Sequence, residues 1–220
     1  KIAKIVLIGT ILSNHFFKRS SMTGGRQKSF DKTQALDSAM HVFWQKGFLG
    51  ASLADLTEAM GINKPSMYST FGNKEELFML ATDHYLEEYA KPHMSHLEGE
   101  GSYQKRLKSY LMSVISNQCE GPRPKGCYIS LCMTESASQS LPAQALEMIL
   151  KVRDFTESFF AEWLSKECTK EIEGKDERMM VMARLIITVL HGTAAMARSG
   201  RTIQELEPVV DLALNAFSPD

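Results

Sequence analysis

Apolar residues recur along this chain at intervals of three and four, with almost no alternating apolar and polar run, so the pattern predicts an all-α protein of about nine helices. Asp31 reads as an N-cap with Gln34 as its capping-box partner, and Leu36, Met40, Phe43 and Trp44 follow at helical spacing until Gly47 ends the helix. A short second helix starts from Ser52, with Asp55 complementing its N-terminal dipole and Leu53, Leu56 and Met60 on its inner face. Gly61 supplies a tight turn. Asn63 then caps a third helix that tolerates Pro65 in its first turn, and Met67 and Phe71, four apart, form its inner side. Gly72 stops that helix. Asn73 opens a fourth, expected to run to about Tyr89, with Leu77, Leu80, Ala81 and Tyr85 inward.

Five more helices complete the pattern. Tyr103 to Gln118 carries one, broken by Pro122 and Pro124, and a short one covers Cys127 to Ser136. A long helix runs from near Pro142 through Phe159, Phe160 and Trp163. Another spans Asp176 to Ser199, and the last runs from Thr202 to near Phe217.

Two short helices joined by a Gly-containing turn and braced by a third make a helix-turn-helix, whose second helix is of a size to enter the major groove of DNA. With Met67 and Phe71 turned inward, Lys64, Ser66, Tyr68, Ser69 and Thr70 are left for the outer face. The run from Gly61 to Leu77 resembles the signature of TetR/AcrR regulators: a Gly turn, then Tyr68, Phe71, Lys74 and Leu77 at the family's spacing. Gly47 to Leu53 is similar to the family's link between the first two helices, and the likeness extends from Phe30 to Tyr89. It departs at Ala51, where Thr is frequent, and at Met60, where Ala is frequent. The resemblance implies that Ser52, Tyr68 and Lys74 hold DNA phosphates while Lys64, Ser66, Ser69 and Thr70 face the groove. Phosphate contacts position such a protein and base contacts specify its sequence. Arg26 and Lys28, in a flexible basic arm, are placed to reach a minor groove or a phosphate.

Composition narrows the rest. The 220 residues are 44% hydrophobic and 23% charged, ordinary for a folded protein, and the formal net charge of −1 means that DNA affinity must come from a local surface. Residues 1–21 begin with Lys1 and hold a short apolar run, Ile5 to Leu12. They are expected to be an upstream extension before Met22 rather than an export signal. Residues 22–91 form the expected DNA-binding domain and 92–220 an effector-binding and dimerisation domain. No other segment reads as a membrane span, which points to a cytoplasmic protein. His93 and His96 with His84 read as a solvated connector rather than a metal site. No phosphate loop, zinc signature or nucleophile motif directs the chain toward catalysis or requires a cofactor or metal.

The resemblance further implies an effector pocket and a dimer interface. Met179, Ala183, Ile186, Leu190, Thr193 and Ala197 make one apolar stripe, which Ile187 and Ala194 widen. Leu206, Val209, Val210, Ala213 and Phe217 make another. Ile186, Leu190, Ala194, Val210 and Phe217 are accordingly expected in a four-helix homodimer interface, although the same stripes would serve to close the core of a single chain. Tyr110, Val114, Cys127, Met133, Phe155, Phe159, Trp163 and His191 are candidates for an apolar ligand pocket. Cys127 follows Arg123, Lys125 and Gly126 at a helix start, where a thiol is either an oxidant or electrophile sensor or an inert core residue. The expectation is a ligand-responsive transcriptional regulator, a repressor that binds a palindromic double-stranded DNA operator as a homodimer and responds to an unknown small-molecule effector. A thiol-sensing regulator and an all-helical binding module without DNA activity are the alternatives.

Overall fold

The computed structural model describes residues 30–137, 141–168 and 174–215. All regular structure in them is helical. The Asp31 carboxylate accepts the N–H groups of Thr33 and Gln34 at 2.8 and 3.1 Å, and α1 runs Lys32–Gly50 with a break at Gly47, whose φ of 72° is left-handed. The helices α2 (Leu53–Ala59), α3 (Lys64–Phe71) and α4 (Lys74–Tyr85) follow. Where the pattern predicts α4 continuing to about Tyr89, the chain widens after Tyr85 into a π turn, Leu86–Ala90, and then a 3-10 segment, Lys91–Leu97. Tyr89 is held there: its hydroxyl donates to Asp37 of α1 at 2.6 Å and its ring stacks on Tyr85. The remaining helices are α5 (Tyr103–Cys119), α6 (Tyr128–Ala137), α7 (Ala143–Glu167), α8 (Lys175–Arg198) and α9 (Ile203–Asn215).

These helices form two compact units. The first ends at Lys91 and also takes in Thr134–Met148; the second contains Pro92–Met133 and the chain from Ile149 onward. In the first, α1 packs on α4. Phe43 and Phe48 each meet the Phe78 ring at 5.2 Å, and Trp44 meets Tyr85 edge-on at the same distance. Leu56, Met67 and Leu77, all fully buried, bring α2, α3 and α4 onto one core. Each such side chain contributes about 1.5–3 kcal/mol by leaving water.

Asp83 of α4 works against that core. Its Oδ1 is buried without a hydrogen-bond partner, and burial, then the nearby Glu87 charge, push its carboxyl up to about 7. Between an ordinary carboxyl pKa near 4 and this raised value, the folded chain holds a proton that the unfolded chain has lost. Stability should therefore fall as pH rises from about 4 to 7 and level off above. Asp83→Asn should remove this penalty and raise stability at pH 8 by about 2–4 kcal/mol, with little gain at pH 4. Urea denaturation at both pH values checks this; an equal gain at both would assign the effect to something other than titration.

In the second unit, Leu107, Leu111 and Ile115 of α5 meet Phe160 and Leu164 of α7, Met179, Ala183 and Ile186 of α8, and Leu206 and Val210 of α9. This corrects the expected dimer residues. Ile186 and Val210 are 0% exposed and Ala194 is 2% exposed in the single chain, so they close its own core and present nothing to a partner. Leu190 is half-buried and packs on the same core, while Phe217 lies outside the described residues. Periodicity misleads here because an apolar stripe has the same spacing whether it closes one chain's core or meets a partner. Helix α8 also exposes Val181 and Met196, and α9 adds Val209 and Leu212; these four are 58, 46, 42 and 73% exposed. By length and composition α8 could also cross a membrane, contrary to the reading that no such segment exists beyond the N-terminus. Its inner face is nevertheless committed to the core of this unit.

Candidate nucleic-acid interface

The helix-turn-helix is built from local capping chemistry. At the start of α2, the Ser52 hydroxyl accepts the Asp55 N–H at 3.0 Å and donates to Asp55 Oδ2 at 2.8 Å, while the Ser52 N–H also donates to that oxygen. The Lys46 ammonium beside Asp55, and then the Ser52 donors, hold that carboxyl at about 2. Both donors of Ser52 are thus turned toward Asp55, and a phosphate at Ser52 has to share them.

After α2 the chain turns at Gly61, whose φ of 65° is open to glycine. Asn63 then caps α3 by accepting the Ser66 N–H at 2.9 Å, and Pro65 sits in the first turn, where no intrahelical donor is needed. Met67 and Phe71 anchor the inner face, and Phe30 packs on Phe71 at 6.2 Å between ring centroids. Lys64, Tyr68 and Ser69 are exposed, and Ser66 is half-buried. Thr70 differs from the others. It is half-buried and its hydroxyl oxygen is enclosed without a hydrogen-bond partner, so it is the least available of the residues expected to face the groove. Arg26 and Lys28 lie outside the described residues.

Gly72 ends α3 with φ 79°, and a Cβ there would fall 2.0 Å from Glu76 Oε2. That oxygen accepts the Asn73 N–H at 2.8 Å, while Asn73 Oδ1 accepts the Glu76 N–H at 2.9 Å, a reciprocal cap. Lys74 is the first residue of α4. Its Nζ lies 4.4 Å from the centroid of the Phe48 ring; burial pushes its pKa down and the charge of Glu135 pulls it back up. Glu135 was not foreseen from the sequence. It belongs to α6, and its Oε2 accepts the Phe48 N–H at 2.9 Å across 87 residues of chain. Nothing in a local pattern signals a contact of that separation.

The second unit holds the candidate pocket residues in varied settings. Tyr110 is in the core, edge-on to Phe160 at 5.4 Å, and burial chiefly, with the charge of Cys127, pushes its phenol well above the usual range. Val114, Phe159 and Trp163 pack against the same core, and Phe155 stacks on Phe159. Met133 and Cys127 are half-buried. His191 is half-buried as well, and burial lowers its pKa. Gln118 enters the sequence pattern only as the end of the helix from Tyr103. It is 3% exposed, its Nε2 donates to the Leu190 carbonyl, and its Oε1 is buried without a partner. None of the four cysteines forms a disulfide. His93 bonds Ser113 and Asn117, and no cluster of three metal-ligating side chains occurs among the described residues.

Residues 35–80 match the model of the bacterial regulatory proteins of the tetR family. Over 198 residues the chain is 30% identical to the HTH-type transcriptional repressor ComR of Escherichia coli K12, covering 88% of this chain and 91% of that protein. The chain belongs to the TetR family. It is 28% identical to YezE, an HTH-type regulator of Bacillus subtilis 168, over 88% of this chain and 99% of that one. Among solved structures, a cysteine mutant of the TetR-family regulator CifR bound to 26-base-pair operator DNA is similar at a TM-score of 0.76 and 30% identity, covering 88% of this chain and all of that one. As a TetR-family protein, the chain is a DNA-binding transcriptional regulator, and its family is one of regulators rather than enzymes.

Proposed function

We propose that this TetR-family chain is a repressor that binds a two-fold-symmetric operator as a homodimer and leaves it when a small molecule occupies the second unit. The observation that carries the DNA-binding part is α3. Its inner face is locked by Met67 and Phe71, while Lys64, Tyr68 and Ser69 stand exposed, with Lys74 at the start of the adjacent helix. Lys64 can donate to guanine O6 or N7, and Lys74 lies beside the first N–H groups of α4, where phosphate is favoured. ComR is named a repressor and the CifR complex holds operator DNA, which supports the same role here. A mobility-shift titration with the DNA upstream of the chain's own gene, against excess random duplex, should show a specific complex. A protein that shifts both duplexes alike, or neither, would leave only an all-helical binding module.

The exposed residues of α8 and α9 support the dimer. Val181, Met196, Val209 and Leu212 are large apolar side chains exposed on these two helices, and covering them in a self-complementary four-helix contact would remove them from water. Leu212→Glu, at the most exposed of the four, should leave the fold intact and give monomers by sedimentation at micromolar concentration. A stable dimer of this variant would move the interface elsewhere. For the effector, the buried and unpartnered Gln118 Oε1, on the helix that also carries Tyr110 and Val114, supports a mostly apolar ligand bearing one hydrogen-bond donor.

A second reading keeps the same regulator and makes Cys127 its sensor. Cys127 is half-buried just before α6, whereas Cys119 is buried and its thiol is pushed up, chiefly by that burial. Alkylation of native protein should then modify Cys127 first; Cys119 or Cys168 reacting faster would remove the basis of this reading.

A further inference from the structure

Glu135 sits in the last turn of α6 and belongs with the DNA-binding helices in the first unit. Three observations meet on its carboxylate. Its Oε2 accepts the Phe48 N–H at 2.9 Å, immediately after the break in α1. Its Oε1 nests against Gly47, where a Cβ would fall 2.1 Å from that oxygen and 2.7 Å from Cδ. Its charge acts on Lys74, whose ammonium lies over the ring of that same Phe48. The glycine is therefore required twice, for its φ of 72° and for the space that the carboxylate occupies.

We propose that Glu135 is a positioning residue for DNA binding, which fixes the α1–α2 link through Phe48 and competes with DNA phosphate for the Lys74 ammonium. The inference rests on Lys74 being a phosphate contact. A cation within the field of a carboxylate gives DNA less net attraction, because that field offsets part of its charge. The α1–α2 link matters to the same end, since it sets where Ser52 and the start of α2 stand.

The test uses a fluorescein-labelled random-sequence duplex and a series of salt concentrations, with Glu135→Gln, Lys74→Ala and the double variant. Glu135→Gln keeps an acceptor for the Phe48 N–H and removes the charge. It should bind about three- to tenfold more tightly at low salt and show a steeper salt slope, as a fuller Lys74 charge meets the phosphate. In the Lys74→Ala background the same change should matter less than about twofold. A general loss of negative charge near DNA would instead give the same gain in both backgrounds, which overturns the proposal, as does no gain at all. Should Glu135→Gln not fold by circular dichroism, Glu135→Ala also lacks the charge and is held to the same outcomes. If Lys74→Ala alone leaves affinity and slope unchanged, the phosphate assignment of Lys74 fails first, and the inference falls with it.

Discussion

Ile186→Glu is expected to unfold the second unit rather than separate two subunits. Ile186 is fully buried among Leu107, Leu111 and Ile115 of α5, Phe160 and Leu164 of α7, and Leu206 and Val210 of α9. A carboxylate there has no cation of the described core to meet, and an uncompensated buried charge costs about 3–5 kcal/mol in addition to the lost packing of the isoleucine. That sum is comparable with the whole stability of an ordinary domain. Thermal melting followed by circular dichroism should show an early or absent transition for the second unit. The contrast with Leu212→Glu is the informative part, because that change should leave melting nearly unaffected and shift only the sedimentation. A folded, monomeric Ile186→Glu would return Ile186 to the interface and contradict the packing described here.

The apolar stripe of α8 satisfies helical spacing, which is why the sequence could establish the helix and its apolar face but not whether that face closes the core of one chain or meets a partner. That choice depends on α5, α7 and α9, none of which is encoded near α8 in a way that periodicity reads. The DNA-binding helices are the opposite case. Asp31, Ser52, Asn63 and Asn73 announce their helices by short-range capping, and each accepts the backbone N–H that its position calls for. Met67 and Phe71 then fix the orientation of α3 from their spacing alone. The limits on that surface came from contacts of long separation or fine geometry: Glu135 reaching Phe48, Lys74 over an aromatic ring, and Thr70 with its hydroxyl enclosed. The π turn after α4 was also beyond the pattern, since its apolar spacing barely differs from that of one more α-helical turn.

Lys64→Ala and Lys74→Ala are expected to fail in different ways. Lys64 is exposed at the start of α3, within reach of base edges once that helix enters the major groove. Lys74 starts α4, where the phosphate backbone is what it can meet. Losing Lys74 should weaken binding to every sequence to a similar degree and lower the salt slope by about one per subunit. Losing Lys64 should cost about 1–3 kcal/mol per half-site on the preferred operator, or roughly thirtyfold to more than ten-thousandfold across a dimer, with little change on random DNA.

The central claim is that α3 reads sequence while its surroundings hold the backbone. Binding-site selection from a random duplex library, run in parallel on the unaltered protein and on the two lysine variants, tests it most directly. The expected result is a two-fold-symmetric consensus for the unaltered protein, with half-sites about one helical turn or a multiple of it apart. Lys74→Ala should select that same consensus more weakly, and Lys64→Ala should relax it at one base position in each half-site. A consensus changed by Lys74→Ala and left intact by Lys64→Ala would contradict the account, because reader and anchor would then be exchanged.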